Sequence, residues 1–186
     1  MILALHQPNF MPWRPFFEKL ERSDVFIILT HCQYTRRNYQ NRFNIGQRWF
    51  TMGINKCPRD TAIRDVEYCN PLGDWSVIKK QLTDYEQVLS EFDECINHSL
   101  MDTNIAIIRK IASYLGITTE IQLDFATTKT STDRTIELCK AHRATVYYSG
   151  IGGRNYLEAD KFAANGIELR FQDDTQLTKL PIVACL

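Results

Sequence analysis

The sequence has no long apolar run. The longest two, Met1–Leu5 and Val25–Leu29, are far shorter than the roughly 20 residues that a membrane-spanning helix needs. The N-terminus also lacks a basic segment followed by an apolar core, so no secretion signal is predicted. We therefore expect a cytoplasmic location and no membrane partner.

Cysteine-pairing motifs are missing as well. None of the six cysteines forms a Cys-x-x-Cys pair, and without a secretion signal we expect reduced thiols. Adjacent His31 and Cys32 are potential metal ligands, but the paired short spacings of structural zinc sites are absent. No metal site is therefore predicted, and the sequence leaves the identity of any cofactor open.

The chain lacks net charge, because 22 basic residues balance 22 acidic ones. This balance excludes a disordered polyelectrolyte and argues against a nucleic-acid binder that is basic over its whole surface. The signs are nevertheless segregated. No acid lies between Asp24 and Asp60, a stretch with six Lys and Arg residues, and no base lies between Lys80 and Arg109. Two interpretations stay open: two solvated faces, or an anion site in the basic stretch, since arginine matches phosphate and carboxylate geometry.

What the sequence does have is an alternation of apolar runs and helical patterns at both ends. This alternation predicts a three-layer α/β fold with a Rossmann-like, mostly parallel sheet and a helical middle segment at about 74–116. Residues 1–186 are expected to form a single domain. The predicted strands are Ile2–Leu5, Val25–Leu29, Arg48–Ile54, Ala62–Tyr68, Ile121–Phe125, Val146–Ser149 and Ile167–Phe171. A first, short helix is predicted to start at Pro15. The other predicted helices are Trp75–Leu89, Asp102–Leu115, Ser131–Ala141 and Tyr156–Ala164.

The short helix after Pro15 has a two-sided pattern. Phe16, Phe17 and Leu20 form its apolar face, and the polar face is expected to carry Glu18, Lys19, Glu21 and Arg22. Strand, loop, helix and strand follow one another within 30 residues, which is the pattern of a compact parallel unit.

Two polar loops follow predicted strands, where open parallel sheets bind ligands. The first, residues 6–15, offers His6 and Asn9; the histidine is either a general acid or cation for a leaving phosphate, or a ring that bonds a loop carbonyl. The second, residues 149–156, has Gly150, Gly152 and Gly153, whose N–H groups can approach an anion, beside the donors Ser149 and Arg154. A tight strand-to-helix turn needs such glycines too. If both strands are parallel in one sheet, both loops lie at the same edge.

A third polar segment, residues 33–42, is rich in amide, guanidinium and aromatic side chains. It is a ligand-gripping loop or a mobile surface loop, and the residues alone do not decide between them.

Several runs together resemble the WbqC-like family. They are His6-Gln-Pro-Asn-Phe-Met-Pro-Trp13, Phe17, Ser23-Asp-Val-Phe26, Gln33-Tyr34, Asn41-Arg42-Phe-Asn-Ile45, Tyr148-Ser-Gly-Ile-Gly-Gly-Arg-Asn-Tyr-Leu157, Phe162, Gly166-Ile167 and Phe171-Gln172. The resemblance covers about residues 2–55 and 117–172. It implies a link to bacterial surface polysaccharide synthesis and a glycine transferase role. Two departures stand out: Thr30, His31 and Cys32 replace an acidic pair, and the C-terminal part, ending at Leu180–Leu186, is shorter.

The resemblance and the loops together give the candidate site. The expected catalytic residues are His6, Asn9 and Arg42. The expected substrate- or phosphate-binding residues are Gln7, Gln33, Tyr34, Arg37, Asn41, Ser149, Gly150, Gly153, Arg154 and Tyr156.

The sequence is compatible with two functions. The first is a transferase that attaches an amino acid such as glycine to a sugar, nucleotide or modified nucleic-acid base, with phosphate or pyrophosphate leaving. Its partner is a small phosphorylated or nucleotide-linked substrate, and a nucleic-acid acceptor stays open. The alternative is a non-catalytic nucleic-acid-binding module, in which the Arg/aromatic segment 34–49 meets phosphates and stacks on bases.

Overall fold

The computed structural model describes residues 1–173, and its contacts divide them into two compact units. Unit 1 contains residues 1–6, 15–29 and 117–173, and unit 2 contains residues 7–14 and 30–116. The single-domain prediction for residues 1–186 stays a prediction. The stretch Leu180–Leu186 lies outside the described residues.

The described residues form these strands and helices, in chain order: β1 (Ile2–His6), α1 (Arg14–Glu21), β2 (Val25–Ile28), β3 (Arg42–Ile45), β4 (Arg48–Thr51), α2 (Pro71–Gln81), α3 (Glu86–Ser90), α4 (Leu100–Tyr114), β5 (Glu120–Leu123), α5 (Ser131–Ala141), β6 (Val146–Ser149), α6 (Ala159–Ala164) and β7 (Glu168–Phe171).

Unit 1 is built on a five-stranded parallel sheet with the order β5-β2-β1-β6-β7. Successive strand residues point to opposite faces. Leu3 and Ile27 pack with side chains of α5 and α6 on one face, whereas the Phe26 ring on the other face lies 5.1 Å from that of Phe16 on α1. Helix, sheet and helix thus form three layers, and the predicted Rossmann-like α/β fold class is confirmed.

The strand order contains a topological switch point. From the central β1 the chain moves outward to β2 and β5, then returns to the other side of β1 with β6 and β7. Strands β1 and β6 are therefore neighbours that lead to opposite halves of the sheet. Both run in the same direction, so His6 and Ser149 end at the same edge, as the sequence predicted.

Unit 2 has an aromatic core. The hairpin β3–β4 turns at Gly46, whose φ of +61° suits a residue without a side chain. The fully buried Phe10 ring contacts Phe43 at 5.7 Å, Tyr68 at 6.3 Å and Trp75 at 6.0 Å. Phe10 thus has a structural role inside the first predicted loop.

Four predicted elements need correction. Ala62–Tyr68 is not a strand but contains one 3-10 turn, because its residues make single bridges to three different segments. Trp75–Leu89 is two helices, since Leu82 leaves helical geometry and is buried there. The helix expected at Tyr156 begins at Ala159, after a 3-10 turn at Ile151–Asn155. The loop expected at residues 33–42 reaches into β3, which begins at Arg42 and pairs with β4.

Within residues 1–173, no helix combines the length and apolarity that crossing a bilayer requires.

Candidate functional site

The thirteen candidate residues fall on both units, and each unit is considered by itself. Unit 1 carries His6, Ser149, Gly150, Gly153, Arg154 and Tyr156. Unit 2 carries Gln7, Asn9, Gln33, Tyr34, Arg37, Asn41 and Arg42.

In unit 1, strands β1 and β6 separate at the switch point. They pair only through Ile2 and Leu3, although β1 continues to His6. The carbonyl of Leu5 points to the β6 side, since those of Ile2 and His6 bond residues of the β2 side. It accepts a hydrogen bond from Lys19 Nζ at 2.8 Å instead of one from β6. The carboxyl end of the central strand is thus completed by a lysine side chain from α1.

Lys19 is buried, with 4% of its surface exposed, although the helical pattern assigned it to the polar face. Its ammonium lies 5.8 Å from the centroid of the Phe26 ring. Burial lowers the pKa of Lys19 to about 7, and the neighbouring Glu18 carboxylate raises it by a smaller amount. Near neutral pH this amine is therefore present in both its neutral and its charged form.

The carboxylate of Glu18 is held by other donors. It accepts hydrogen bonds from the Tyr148 hydroxyl at 3.1 Å and from Gln172 Nε2, and it pairs with Arg22. Gln172 Nε2 also donates to the Pro15 carbonyl at 2.7 Å. This network ties α1 to β6 and to the residues after β7.

The glycine loop after β6 is tightly packed. The Ser149 hydroxyl is buried and donates to the Gly150 carbonyl at 3.1 Å. A side chain at Gly153 would lie only 2.2 Å from Ser149 Oγ, which explains this glycine. The Gly153 N–H donates to the Gly150 carbonyl at 2.9 Å, so this amide is occupied within the turn rather than directed at an anion.

The remaining candidates of unit 1 differ in exposure. The half-buried His6 ring, at the end of β1, contacts the Phe16 ring edge-to-face at 4.9 Å. The exposed Arg154 guanidinium lies 4.6 Å from the centroid of the Phe171 ring. Tyr156 is exposed, and its carbonyl accepts a hydrogen bond from the Thr132 hydroxyl at 3.4 Å.

In unit 2, buried amides fix the segment 33–42. Gln40 is fully buried; its Nε2 donates to Gln7 Oε1 at 2.7 Å, and its Oε1 accepts from the Thr35 N–H at 2.9 Å. Asn41 donates to the Met52 carbonyl at 2.7 Å and accepts from the Tyr34 hydroxyl at 3.0 Å. These contacts order the segment and argue against a mobile surface loop.

Asn104 on α4 joins this segment to the first predicted loop. It is fully buried, and its Nδ2 donates to the carbonyls of Pro8 and Gln40 at 2.8 and 2.7 Å. Its Oδ1 accepts from the Tyr68 hydroxyl at 3.2 Å. One side chain thus holds both polar loops of unit 2.

Arg42 belongs to a row of aromatic side chains. Its guanidinium lies 4.0 Å from the centroid of the Trp49 ring, and its Nη2 donates to the Arg37 carbonyl. Tyr39 lies 5.3 Å from Trp49 and stacks on Trp13 at 5.8 Å. The Arg42 Nε atom is buried and has no partner within residues 1–173.

A small pocket adjoins this row. It is lined by Asn9, Phe10, Met11, Pro12, Trp13, Tyr39, Phe43 and Asn44. Asn9 is buried in this pocket, so its amide is available only to a group that enters it.

An open basic groove is a second surface of unit 2. It is lined by Gln33, Tyr34, Thr35, Arg36, Pro58 and Arg59, and both arginines are exposed. Gln33 Nε2 donates to the Arg59 carbonyl at 2.6 Å, and Arg36 Nη2 donates to that of Cys57 at 3.2 Å. The tyrosine forms the buried side of this groove, and burial raises the pKa of Tyr34. Of the two interpretations of the basic stretch, the anion site would use this groove, and it stays a prediction.

No group of three His, Cys, Asp or Glu side chains within residues 1–173 could hold a metal ion. Cys95 and Cys139 are buried thiols, and burial raises the pKa of Cys139 to about 12.

Sequence reasoning missed Lys19 and Asn104. In a helix, Lys19 flanks Phe16, three positions earlier, so it borders the apolar face closely enough for burial. Asn104 stands among the apolar residues of α4, where a polar side chain at a core position is itself a signal.

Comparison with known proteins identifies the family. The model of the WbqC-like protein family matches residues 7–179. A protein of Mycobacterium tuberculosis, called uncharacterized protein Rv1507c, is 27% identical over 192 residues, which cover 92% of this chain and 81% of that protein. No solved structure matches the chain. The resemblance seen in the motifs around the ends of β1 and β6 is therefore confirmed. This chain belongs to the WbqC-like protein family.

Proposed function

We propose that this protein is a transferase that attaches an amino acid such as glycine to a sugar, a nucleotide or a modified nucleic-acid base, with phosphate or pyrophosphate leaving. The observation that carries the proposal is the separation of β1 and β6 at the switch point of unit 1. Open parallel sheets bind their ligands beyond the carboxyl ends of strands at such a point. His6, Ser149 and Gly150 border it.

The proposed chemistry needs no protein nucleophile, because the acceptor amine attacks the activated carboxyl carbon directly. An amide bond forms, the bond from that carbon to the phosphate oxygen breaks, and the amine proton passes to solvent. The imidazole of His6 donates a hydrogen bond to the leaving phosphate and stabilises the charge that develops there. In unit 2, the exposed Arg36 and Arg59 provide a separate surface for an oxyanion. Arg42, expected to be catalytic, has a buried Nε hydrogen without a partner among the described residues.

A thermal-shift experiment tests the proposal. Pyrophosphate, a nucleoside triphosphate and a nucleotide sugar are added to wild type, His6→Ala and a control, His142→Ala. Ligand at about 100 times its Kd stabilises a folded protein by about 2.7 kcal/mol, or about 5–10 °C for a chain of this size. We expect this shift in wild type and in the control but a much smaller one in His6→Ala. If none of these anions stabilises wild type, the proposal is wrong.

The alternative, a nucleic-acid-binding module, is favoured by one observation. Trp49 is 41% exposed, and Arg42 and Tyr39 lie beside it, as in a stacking surface for bases. Tyr34 takes no part in it, since its ring is buried. This function predicts that a single-stranded oligonucleotide stabilises wild type and His6→Ala equally, that salt abolishes the effect, and that Trp49→Ala loses it.

A further inference from the structure

Lys19 has unused hydrogen-bonding capacity in a buried place. An ammonium group carries three donors, and within residues 1–173 Lys19 donates only to the Leu5 carbonyl. None of the ion pairs among these residues includes it. Buried polar groups are nearly always satisfied, so a buried amine with two unused donors needs an explanation.

The position of the amine is specific. If β1 and β6 continued to pair in register, the N–H of Gly150 would bond the Leu5 carbonyl. Lys19 Nζ takes that place and stands between the two strand ends. A methyl group added at Gly150 would lie 4.0 Å from Nζ and 3.9 Å from Gln172 Oε1. The glycine therefore leaves the space beside the amine open.

The surroundings favour the neutral amine until a negative charge arrives. The groups facing Lys19 are the Leu5 carbonyl on β1, the Glu18 carboxylate on its own helix and the Phe26 ring on β2. Gln172 Oε1 borders the same space beside Gly150. Glu18 is already bonded by Tyr148 and Gln172. Burial lowers the pKa of Lys19 to about 7, and the Glu18 carboxylate raises it by a smaller amount.

We propose that the amine of Lys19 contacts the substrate: it takes up a proton from solvent and donates its unused hydrogens to an anionic oxygen of the ligand at the ends of β1 and β6. The inference rests on the proposed function, because it places the anionic part of that substrate. The proton passes from a solvent hydronium or water to the nitrogen lone pair, and no bond of the substrate forms or breaks in this step. The partner chemistry is an oxyanion, either the phosphate of the leaving group or the carboxylate of the amino acid before that carboxylate is activated.

Two variants separate contact from folding. Lys19→Met removes the amine but keeps an apolar side chain of similar length. Gly150→Ala keeps the amine and fills the space beside it; its φ of −63° suits alanine. Gly152→Ala is the matched control, since a methyl group there meets nothing within 4 Å. If Lys19→Met does not fold, Gly150→Ala still tests the proposal.

The first measurement is the Kd of inorganic pyrophosphate for the full chain, by calorimetry. A hydrogen bond from a charged donor predicts an affinity about 10- to 100-fold weaker in Lys19→Met. Gly150→Ala should also bind more weakly, and Gly152→Ala should bind as wild type does. A second arm uses glycine as the probe, so that phosphate and carboxylate are distinguished.

The second measurement is NMR of the chain with 13C at lysine Cε, where Lys19→Met identifies the Lys19 signal. Without ligand the signal should titrate near pH 7, and with saturating pyrophosphate or glycine at least about one pH unit higher, because the bound anion favours the charged form. Lys110, whose pKa is raised by a hydrogen bond to Glu94, should not respond.

The outcomes separate the two proposals. Suppose that a probe binds to wild type, Lys19→Met and Gly150→Ala with the same Kd and leaves the NMR titration of Lys19 in wild type unchanged. The ligand then binds elsewhere, so that the Lys19 proposal is wrong and the transferase proposal survives. If neither pyrophosphate nor glycine binds to wild type, the Lys19 proposal is wrong. The transferase proposal is wrong as well if the nucleoside triphosphate and the nucleotide sugar also fail to stabilise wild type.

Discussion

Two buried polar side chains, one in each unit, are hydrogen-bonded to very different extents. In unit 2, Asn104 uses both of its Nδ2 hydrogens and its oxygen, and it joins two loops. In unit 1, Lys19 as an ammonium group donates one hydrogen of three to a partner within the described residues. A satisfied buried group rigidifies a structure, whereas an unsatisfied one destabilises it. The difference identifies Asn104 as part of the architecture and Lys19 as a group retained for another reason.

The largest expected effect comes from Asn104→Leu. This change leaves two carbonyls and the Tyr68 hydroxyl buried without their partner, and each loss costs about 1–3 kcal/mol. We expect the free energy of unfolding in urea to fall by about 3 kcal/mol or more. Asn55→Ala, at an exposed amide of the same unit, should change it by less than about 0.5 kcal/mol. Equal losses in both variants would remove the architectural role of Asn104.

Lys19→Met should raise the free energy of unfolding, and the size of this increase should depend on pH. The folded-state pKa is about 7, below the ordinary lysine value, so from about pH 7 to 10 the unfolded chain binds one proton more than the folded protein. The wild type therefore gains stability as pH rises through this range, and Lys19→Met lacks this gain. We therefore compare the unfolding free energy of Lys19→Met with that of wild type at two pH values. The difference in favour of the variant should be larger at pH 6 than at pH 9, by on the order of 2–3 kcal/mol.

Urea unfolding of both proteins at the two pH values measures this difference. Lys129→Met, at an exposed lysine of the same unit, should show a much smaller pH dependence. A constant difference between wild type and Lys19→Met at pH 6 and pH 9 would mean that the buried amine stays charged throughout.

Arg42 is the intermediate case within unit 2, because its Nη2 is bonded while its Nε is not. Arg42→Ala removes the cation from the Trp49 ring, which should cost about 1 kcal/mol of unfolding free energy. Arg37→Ala is the control, since the backbone carbonyl of Arg37, not its exposed side chain, accepts from Arg42. If the two variants unfold at the same urea concentration, the stacked guanidinium adds no stability.

Much of unit 1 could be predicted, because its central strands β1, β2 and β6 are short, mostly apolar runs buried on both faces of a parallel sheet. Ser131–Ala141 and Val146–Ser149 have the predicted bounds. Ala62–Tyr68 could not be predicted, since its conformation depends on bridges to three distant segments.

The candidate site was harder to predict from the sequence, because residue type does not show where a polar side chain points. The amides of segment 33–42 indicated a ligand, yet Gln40 and Asn41 bond other parts of unit 2. The side chain of Lys19 was predicted to lie on the polar face of its helix, yet it donates a hydrogen bond to the Leu5 carbonyl of the central strand β1. Each outcome depends on a partner far away in the chain, which a local pattern does not contain.

The strand order also has a consequence for synthesis on the ribosome. The central strand β1 is made first and meets β2 after 22 residues, whereas its register partner in β6 follows 144 residues later. One edge of β1 therefore waits unpaired while all described residues of unit 2 are made. An unpaired apolar edge is a template for wrong pairing between chains. The nascent protein would therefore gain from a chaperone that covers Ile2–Leu5 until Val146 has emerged.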